Sequence, residues 1–169
     1  MPASMLDDAF AHHVWATKRL AEACGALSDE QLTTPVNGTY GSILDTLRHI
    51  VSGDSFYQTV LTGRDHVLSR RPDTMDIREI NEAMDALGDE WTRILAEDPD
   101  PEKMLREVDD RYERDATVSL RIAQALHHGN DHRTHICTAF TLLGLEPPDV
   151  SVWHFGIETG RSTDNERES

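Results

Sequence analysis

Residues 117–143 read TVSLRIAQALHHGNDHRTHICTAFTLL, and this stretch carries both the fold and a candidate site. Its apolar and small residues recur every three or four positions, which is the spacing of one face of an α-helix. These positions are Val118, Ile122, Ala125, Gly129, His132, Ile136 and Ala139. Gly144 and the Pro147-Pro148 pair follow, and they predict the end of the helix. The stretch is therefore predicted to form one long helix with one face in a core.

Three earlier segments share this helical periodicity. They cover about residues 6–27, 42–61 and 75–95. Between the first two, a capping-box pattern from Ser28 to Gln31 predicts one short helical turn. None of the long segments shows the sustained alternation that is typical of a strand. The sequence therefore predicts an all-α fold, a four-helix bundle of the kind formed by four long amphipathic segments.

The remaining segments are short. Residues 102–116 are rich in charge, and a short helix or a loop is predicted there. The apolar patch at residues 150–157 is predicted to dock on the bundle as a short accessory C-terminal helix. Residues 161–169 are polar and are predicted to form a flexible tail. Residues 1–160 are thus expected to form a single bundle domain.

Composition excludes several classes of partner. The 169 residues include 16 Lys and Arg against 31 Asp and Glu, which gives a net charge of −15 with His neutral. A surface this acidic repels nucleic acid and anionic lipid, so a small-molecule substrate is the expected partner. No apolar run approaches the ~20 residues that span a bilayer, and the N-terminus lacks the pattern of a secretory signal. With two cysteines in the chain, a reducing cytoplasm is the expected location.

Histidines are concentrated in the long helix at residues 117–143. Four of the nine histidines lie within residues 127–135. His128 and His132 are four residues apart, so they share a helix face about 6 Å from each other, and both can reach one metal ion. His127 is turned about 100° away, and His135 lies about 10 Å further along the helix axis than His128. A pair of buried histidines that bond to neighbouring groups is the alternative interpretation.

A third ligand must come from another helix. The best candidate is His49 in the second long helix, where Gly53, one turn later, would leave room beside it. The alternative is a boundary histidine that is hydrogen-bonded to a neighbouring helix. Three inward-facing imidazoles from two helices would suit zinc, nickel, iron or copper.

The motif LRHI around His49, Asp54 five residues later, and HGNDHR at residues 128–133 resemble the DinB-like (YfiT-like) family of metal-binding four-helix proteins. That family has a histidine in the second helix, an acidic residue five positions on, and a late HxxxH followed by Arg. The resemblance covers most of the chain. It implies that His49, His128 and His132 are the three ligands of a divalent metal with open coordination positions, and that the protein forms a homodimer.

The resemblance also implies an activity. Characterised members of that family resemble thiol-dependent enzymes, namely isomerases and S-transferases that use mycothiol, bacillithiol or glutathione. The resemblance therefore implies a thiol-dependent activity for this chain. Zinc is the expected metal, with nickel, iron or manganese as alternatives, and a low-molecular-weight thiol is the expected co-substrate. Metal-dependent hydrolysis and a non-catalytic metal- or ligand-binding bundle remain as alternatives. No residue is assigned as a catalytic base.

Asp54 has a separate predicted role. It is turned about 140° from His49 around the helix, so it does not join the same coordination sphere. A buried carboxylate needs a partner. We therefore predict a structural polar network in which Arg19, Arg48 or His13 pairs with Asp54.

Four further residues are candidates near the site. Asp45 and Gln124 each lie one turn before a proposed ligand, where they would either orient that ligand or remain solvated. Arg133 follows His132 and would either anchor an anionic substrate or be an exposed charge. His135 is predicted to lie at the rim, either as a substrate contact and proton carrier or as a surface histidine.

Overall fold

The computed structural model describes residues 5–64, 68, 71–108 and 112–164, which form six α-helices and one β-hairpin. The helices are α1 (Met5–Cys24), α2 (Asp29–Thr33), α3 (Ile43–Thr62), α4 (Ile77–Ala96), α5 (Val118–Leu142) and α6 (Val152–Glu158). A 3₁₀ turn at Pro72–Thr74 precedes α4, and strands β1 (Met104–Val108) and β2 (Glu113–Thr117) connect α4 to α5. The predicted all-α bundle is confirmed, with α1, α3, α4 and α5 as its long helices. Within the described residues no helix is both long and apolar enough to cross a membrane.

Side-chain caps fix where the helices begin. The Ser42 hydroxyl accepts a hydrogen bond from the backbone N–H of Asp45, so α3 begins where the sequence predicted. The Ser28 side chain caps α2 in the predicted capping box with Gln31. The Thr117 hydroxyl caps α5 in the same way as Ser42 caps α3. These caps fix the first residues of α3 and α5, the two helices that carry the candidate ligands.

The core holds α3 and α5 side by side. Helix α3 contacts both α5 and α4, and α1 contacts both α4 and α5. The largest side chains with at most a trace of exposure are Trp91, Leu20, Ile43, Leu47, Ile50, Ile80, Met84, Leu87 and Ile136. Their burial is the main favourable contribution to folding, at about 1.5–3 kcal/mol for each large side chain. Because α3 and α5 share this core, residues on their facing sides lie close together.

The prediction of a short helix or loop at residues 102–116 is wrong. Strands β1 and β2 pair antiparallel, with Leu105 opposite Ala116 and Glu107 opposite Arg114. The residue of β1 that is fully buried is Glu107, at 4% exposure. An inward-facing glutamate breaks the apolar alternation by which a strand is recognised, so the pattern of hydrophobic residues could not reveal the hairpin.

Arg121 of α5 provides the partner for this buried carboxylate. Its Nη1 lies 2.5 Å from Glu107 Oε2, and its Nη2 donates to the carbonyl oxygens of Leu105 and Arg114 at 2.9 and 3.1 Å. Tyr112 Oη donates to the other carboxylate oxygen at 2.8 Å. The Arg121 and Glu107 side chains are 5% and 2% exposed. This ion pair therefore attaches the hairpin to the first turns of α5.

The polar tail predicted from residue 161 begins with two residues that contact α6. The backbone N–H groups of Arg161 and Ser162 both donate to the Gly156 carbonyl, at 2.7 and 2.9 Å. The Arg161 guanidinium also lies 2.5 Å from the Asp8 carboxylate. The start of the predicted tail is therefore held against the bundle, whereas residues 165–169 lie outside the described residues.

Arg121→Met is expected to lower the free energy of unfolding by about 3–5 kcal/mol, because it leaves the Glu107 carboxylate buried without its closest counter-charge. The matched control is Arg106→Met, since Arg106 pairs with Asp115 on the exposed face of the same hairpin. An exposed pair of this kind contributes about 0–1 kcal/mol. Urea unfolding followed by circular dichroism measures both changes. Equal losses in the two variants would contradict the role given to the buried pair.

Candidate metal centre

Three histidines from two helices converge on one point. His49 of α3 and His128 and His132 of α5 each offer a nitrogen, and these three nitrogens all lie within 4.8 Å of one another. The Nε2 atoms of His49 and His128 are 3.0 Å apart. The ring centroid of His132 lies 4.5 Å from that of each of the other two. The histidines that the sequence singled out as metal ligands therefore do form one cluster.

A glycine on α3 makes room for this cluster. A Cβ atom added at Gly53 would lie 2.4 Å from Cε1 of His128, closer than side chains normally approach. The sequence analysis placed the free space beside His49, but the structure shows that the ring of His128 fills it. Gly53 thus lets α3 approach α5 closely enough for His49 and His128 to meet.

The three imidazoles are neutral at physiological pH. Burial lowers the pKa of His49 below its ordinary value. Burial, together with the neighbouring imidazoles, lowers the pKa of His128 and of His132 to about 4. Since protons compete with a metal for the imidazole lone pair, these lowered pKa values keep the nitrogens available for coordination.

The donor set fits a divalent cation. Imidazole nitrogen is a common ligand of zinc and of several first-row transition metals. The buried Nδ1 atoms of His128 and His132 have no hydrogen-bond partner among the residues described, and the close polar contact of the His128 ring is the one that its Nε2 makes with His49 inside the cluster. Three close nitrogens could therefore hold one ion without rearrangement of the backbone.

An outer layer of rings surrounds the cluster. Tyr40 stacks on His49 with a centroid separation of 4.2 Å, and Tyr57 lies edge-on to His128 at 5.5 Å. Sequence analysis missed both tyrosines. Helical spacing could have pointed to Tyr57, which lies two turns after His49 on α3. Tyr40 lies in the loop before α3, where periodicity gives no direction for a side chain.

The other predicted site residues are placed differently. Asp45 accepts from the Ser42 hydroxyl at 2.7 Å, so it belongs to the helix cap, and its side chain is 59% exposed. Gln124 donates to Tyr57 Oη at 3.3 Å and reaches the cluster through that ring. His135 is half-buried at the rim, 5.5 Å from the ring of His132. Its role toward a substrate stays a prediction.

Behind the cluster lies a buried polar network. His13 Nε2 lies 2.7 Å from Asp54 Oδ2, and both side chains are fully buried. Arg133 Nη1 donates to His13 Nδ1 at 3.0 Å and contacts Thr17 Oγ1 at 3.3 Å. Because arginine can act only as a donor, His13 accepts at Nδ1 and carries its proton on Nε2. The predicted network around Asp54 is confirmed, with His13 as its partner.

The position of Arg133 differs from both roles that the sequence suggested for it. It is 4% exposed, so it is not the exposed helix charge that was one of the two alternatives. Its Nη1 faces His13 in the interior, which leaves the predicted contact with an anionic substrate unsupported. Burial lowers the pKa of Arg133 to about 10, which still keeps it charged at neutral pH opposite Asp54. The residue is turned about 100° from His132 and so points to α1 rather than to the metal site.

Comparison with known protein families agrees with this architecture. The model of the DinB family matches residues 1–161. This chain belongs to the DinB family. No curated protein sequence matches it significantly. Membership of the DinB family and the three-histidine cluster together fit a metal-binding protein of the DinB type.

In the metal-free DinB protein, His128 and His132 are expected to titrate near pH 4, whereas unperturbed imidazoles titrate near 6.5. As the pH is lowered, the unfolded chain therefore binds these protons before the folded chain does. The stability that depends on these two neutral histidines is complete above about pH 6.5, and it is lost as the pH decreases toward 4. Imidazole C–H resonances report the titration, and urea midpoints report the stability. His128→Gln should reduce the loss of stability over this pH range, because one of the two titrating rings is removed. Titration of both rings near the ordinary imidazole value would contradict the expectation.

Gly53→Ala is expected to weaken zinc binding at least tenfold (about the cost of disturbing an outer-layer partner), because the new methyl group displaces the ring of His128. Gly88→Ala is the control, since a Cβ there would approach Val14 on the other side of the bundle core. Competition with a chromophoric chelator measures both affinities. Equal affinities in the two variants would show that Gly53 does not set the position of His128.

Proposed function

We propose that this chain is a divalent-metal-dependent enzyme that uses a low-molecular-weight thiol, either as an S-transferase or as an isomerase. The observation that carries the proposal is the convergence of three neutral imidazoles, His49, His128 and His132, with nitrogens within 4.8 Å. The thiol and the two reaction classes come from the resemblance to characterised DinB-like proteins. The geometry supports the part of the proposal that needs a reactive metal.

The number of ligands favours a catalytic site over a structural one. Structural zinc sites are closed by four protein ligands, whereas catalytic sites use three and keep a position for water or substrate. Among the described residues, the cluster contains three candidate ligands and no fourth. A divalent cation held by neutral imidazoles retains its full charge and lowers the pKa of a thiol or a water that reaches it.

The residues around the cluster give it one buried side and one accessible side. His13 and Asp54 are fully buried behind the ligand helices and exclude water there. Tyr40, which stacks on His49, is 50% exposed. A small molecule would therefore approach from the side of Tyr40, past half-buried imidazoles. A substrate needs such access to the metal, whereas a purely structural metal does not need it.

The proposal also includes the identity of the metal, the class of substrate, the oligomeric state and the cellular location. Zinc is the proposed ion, with nickel, iron or manganese as alternatives, because three imidazoles accept each of these and availability selects among them. A small-molecule substrate, a homodimer and a cytoplasmic location complete the proposal. The net charge of −15 supports the first of these by disfavouring nucleic acid and anionic lipid as partners.

The decisive experiment combines elemental analysis with a thiol screen. Protein purified without chelators is expected to contain about one equivalent of a divalent metal per chain, the count for a single three-histidine site, and His128→Ala is expected to lose it. The loaded protein is then mixed with a model electrophile and with mycothiol, bacillithiol or glutathione in turn. Turnover that needs both metal and one of these thiols supports the proposal. His127→Ala is the control, since His127 is an exposed neighbour of His128 outside the cluster.

Other outcomes point to other functions. Consumption of the electrophile without any thiol would replace thiol transfer by metal-dependent hydrolysis. Tight metal binding with no turnover, combined with a large loss of thermal stability in His49→Ala, would indicate a non-catalytic metal-binding bundle. Absence of metal from the wild-type protein would contradict the proposal altogether.

A further inference from the structure

Tyr40 contacts two of the candidate ligands at once. Its ring stacks on His49 with a centroid separation of 4.2 Å and an interplanar angle of 18°. The same ring meets His132 edge-on, at 4.9 Å and 87°. His49 belongs to α3 and His132 to α5, so one aromatic side chain bridges the ligands of both helices. Such aromatic pairs stabilise an arrangement beyond what the buried area alone contributes.

The hydroxyl of Tyr40 has a second contact. Its Oη lies 3.1 Å from Nδ1 of His49, within hydrogen-bonding distance. For His128 and His132 the corresponding Nδ1 atoms have no partner in the described part of the chain. Among the three candidate ligands, His49 is therefore the one whose Nδ1 lies next to another side chain in the described part of the chain. Because the two rings are stacked, this hydroxyl lies over the face of the imidazole.

The orientation of His49 makes the ring contact significant. Its Nε2 faces Nε2 of His128 at 3.0 Å, so Nε2 is the nitrogen directed into the cluster. The Tyr40 ring stacked on the face of His49 limits rotation of the imidazole and so keeps Nε2 in this direction. Groups that orient a ligand in this way commonly affect metal affinity.

The loop before α3 holds Tyr40 in place. The Val36 N–H donates to the Gly41 carbonyl at 3.2 Å, which closes the loop. The Thr39 hydroxyl is within hydrogen-bonding distance of the carbonyls of Val36 and Gly41, at 2.8 and 2.9 Å. Gly38 takes a positive φ of 85°, which favours glycine in this tight turn. The loop therefore presents Tyr40 to the cluster although half of that residue is exposed.

We propose that Tyr40 is a positioning residue of the metal centre. Its ring, stacked on His49 and edge-on to His132, keeps Nε2 of His49 directed into the cluster and holds the two ligands in register across the two helices. The inference rests on the metal site of the proposed function, but not on the reaction that the site performs. No sequence motif identified above contains Tyr40.

The test compares Tyr40→Ala, which removes the ring, with Tyr40→Phe, which keeps the ring and removes the hydroxyl. Tyr57→Ala is the matched control, because the Tyr57 ring lies edge-on to one candidate ligand, His128, and does not bridge the two helices' ligands. Zinc affinity is measured by competition with a chromophoric chelator.

Tyr40→Ala is expected to weaken zinc binding about tenfold, the cost of losing an outer-layer partner. Tyr40→Phe should keep the wild-type affinity because it keeps the ring, and Tyr57→Ala should lose less affinity than Tyr40→Ala. Thermal unfolding of the metal-free Tyr40 variants should differ little from that of the wild type, because Tyr40 is half exposed.

Three results would overturn the inference. The first is a Tyr40→Ala variant with the wild-type affinity, and the second is a Tyr40→Phe variant that loses as much affinity as Tyr40→Ala. The third is a wild-type protein that does not bind zinc, which would also remove the metal site itself. Zinc binding with no turnover would contradict the proposed reaction, but the effect of the Tyr40 variants on zinc affinity could still be measured.

Discussion

The close approach of α3 and α5 is the constraint on which the rest of the site depends. Two glycines, Gly53 on α3 and Gly129 on α5, stand where a Cβ atom would collide with an imidazole ring, His128 in the first case and His13 in the second. Each glycine in a helix interior costs about 1 kcal/mol relative to alanine. The packing gained around the two rings offsets that cost. Without the gap at Gly53, α3 and α5 would stand further apart, and the nitrogens of His49 and His128 would not meet. The gap at Gly129 lets His13 of α1 pack against α5.

The space between the helices holds two polar assemblies with different electrostatics. In the cluster, burial keeps the imidazoles neutral, which leaves their lone pairs free. In the network behind it, the charges of Arg133 and Asp54 are balanced through His13, which accepts from one and donates to the other. A buried charge is costly unless it is paired, and this network meets that requirement with side chains from α1, α3 and α5. It ties the two ligand helices to α1.

The same rule governs the edges of the bundle. Glu107 faces inward from the hairpin because Arg121 of α5 neutralises it. At the other end, α6 is attached to α1 through Glu158, which accepts from Trp15 Nε1 at 3.1 Å and pairs with Arg19 at 2.8 Å. Polar contacts therefore help to attach the accessory elements to the four long helices, beside the packing of Phe155 of α6 on Trp15.

The sequence by itself determined the four long helices, their caps and the pairing of His128 with His132. These features depend on neighbours within one or two helical turns, and periodicity and capping residues encode them directly. His49 was reached as a candidate by its position in a helix and by resemblance to a family, while a hydrogen-bonded boundary histidine remained open.

Tertiary structure alone decided the features that depend on contacts between distant segments. It placed His49 beside His128, turned Arg133 inward to His13, and brought Tyr40 from a loop onto the cluster. It also revealed the hairpin, in which the buried residue of β1 is a glutamate that Arg121 neutralises. Local pattern says which face of a helix is apolar, but the partner of a polar side chain is fixed by packing between elements. The spacing of residues along one helix does not determine that packing.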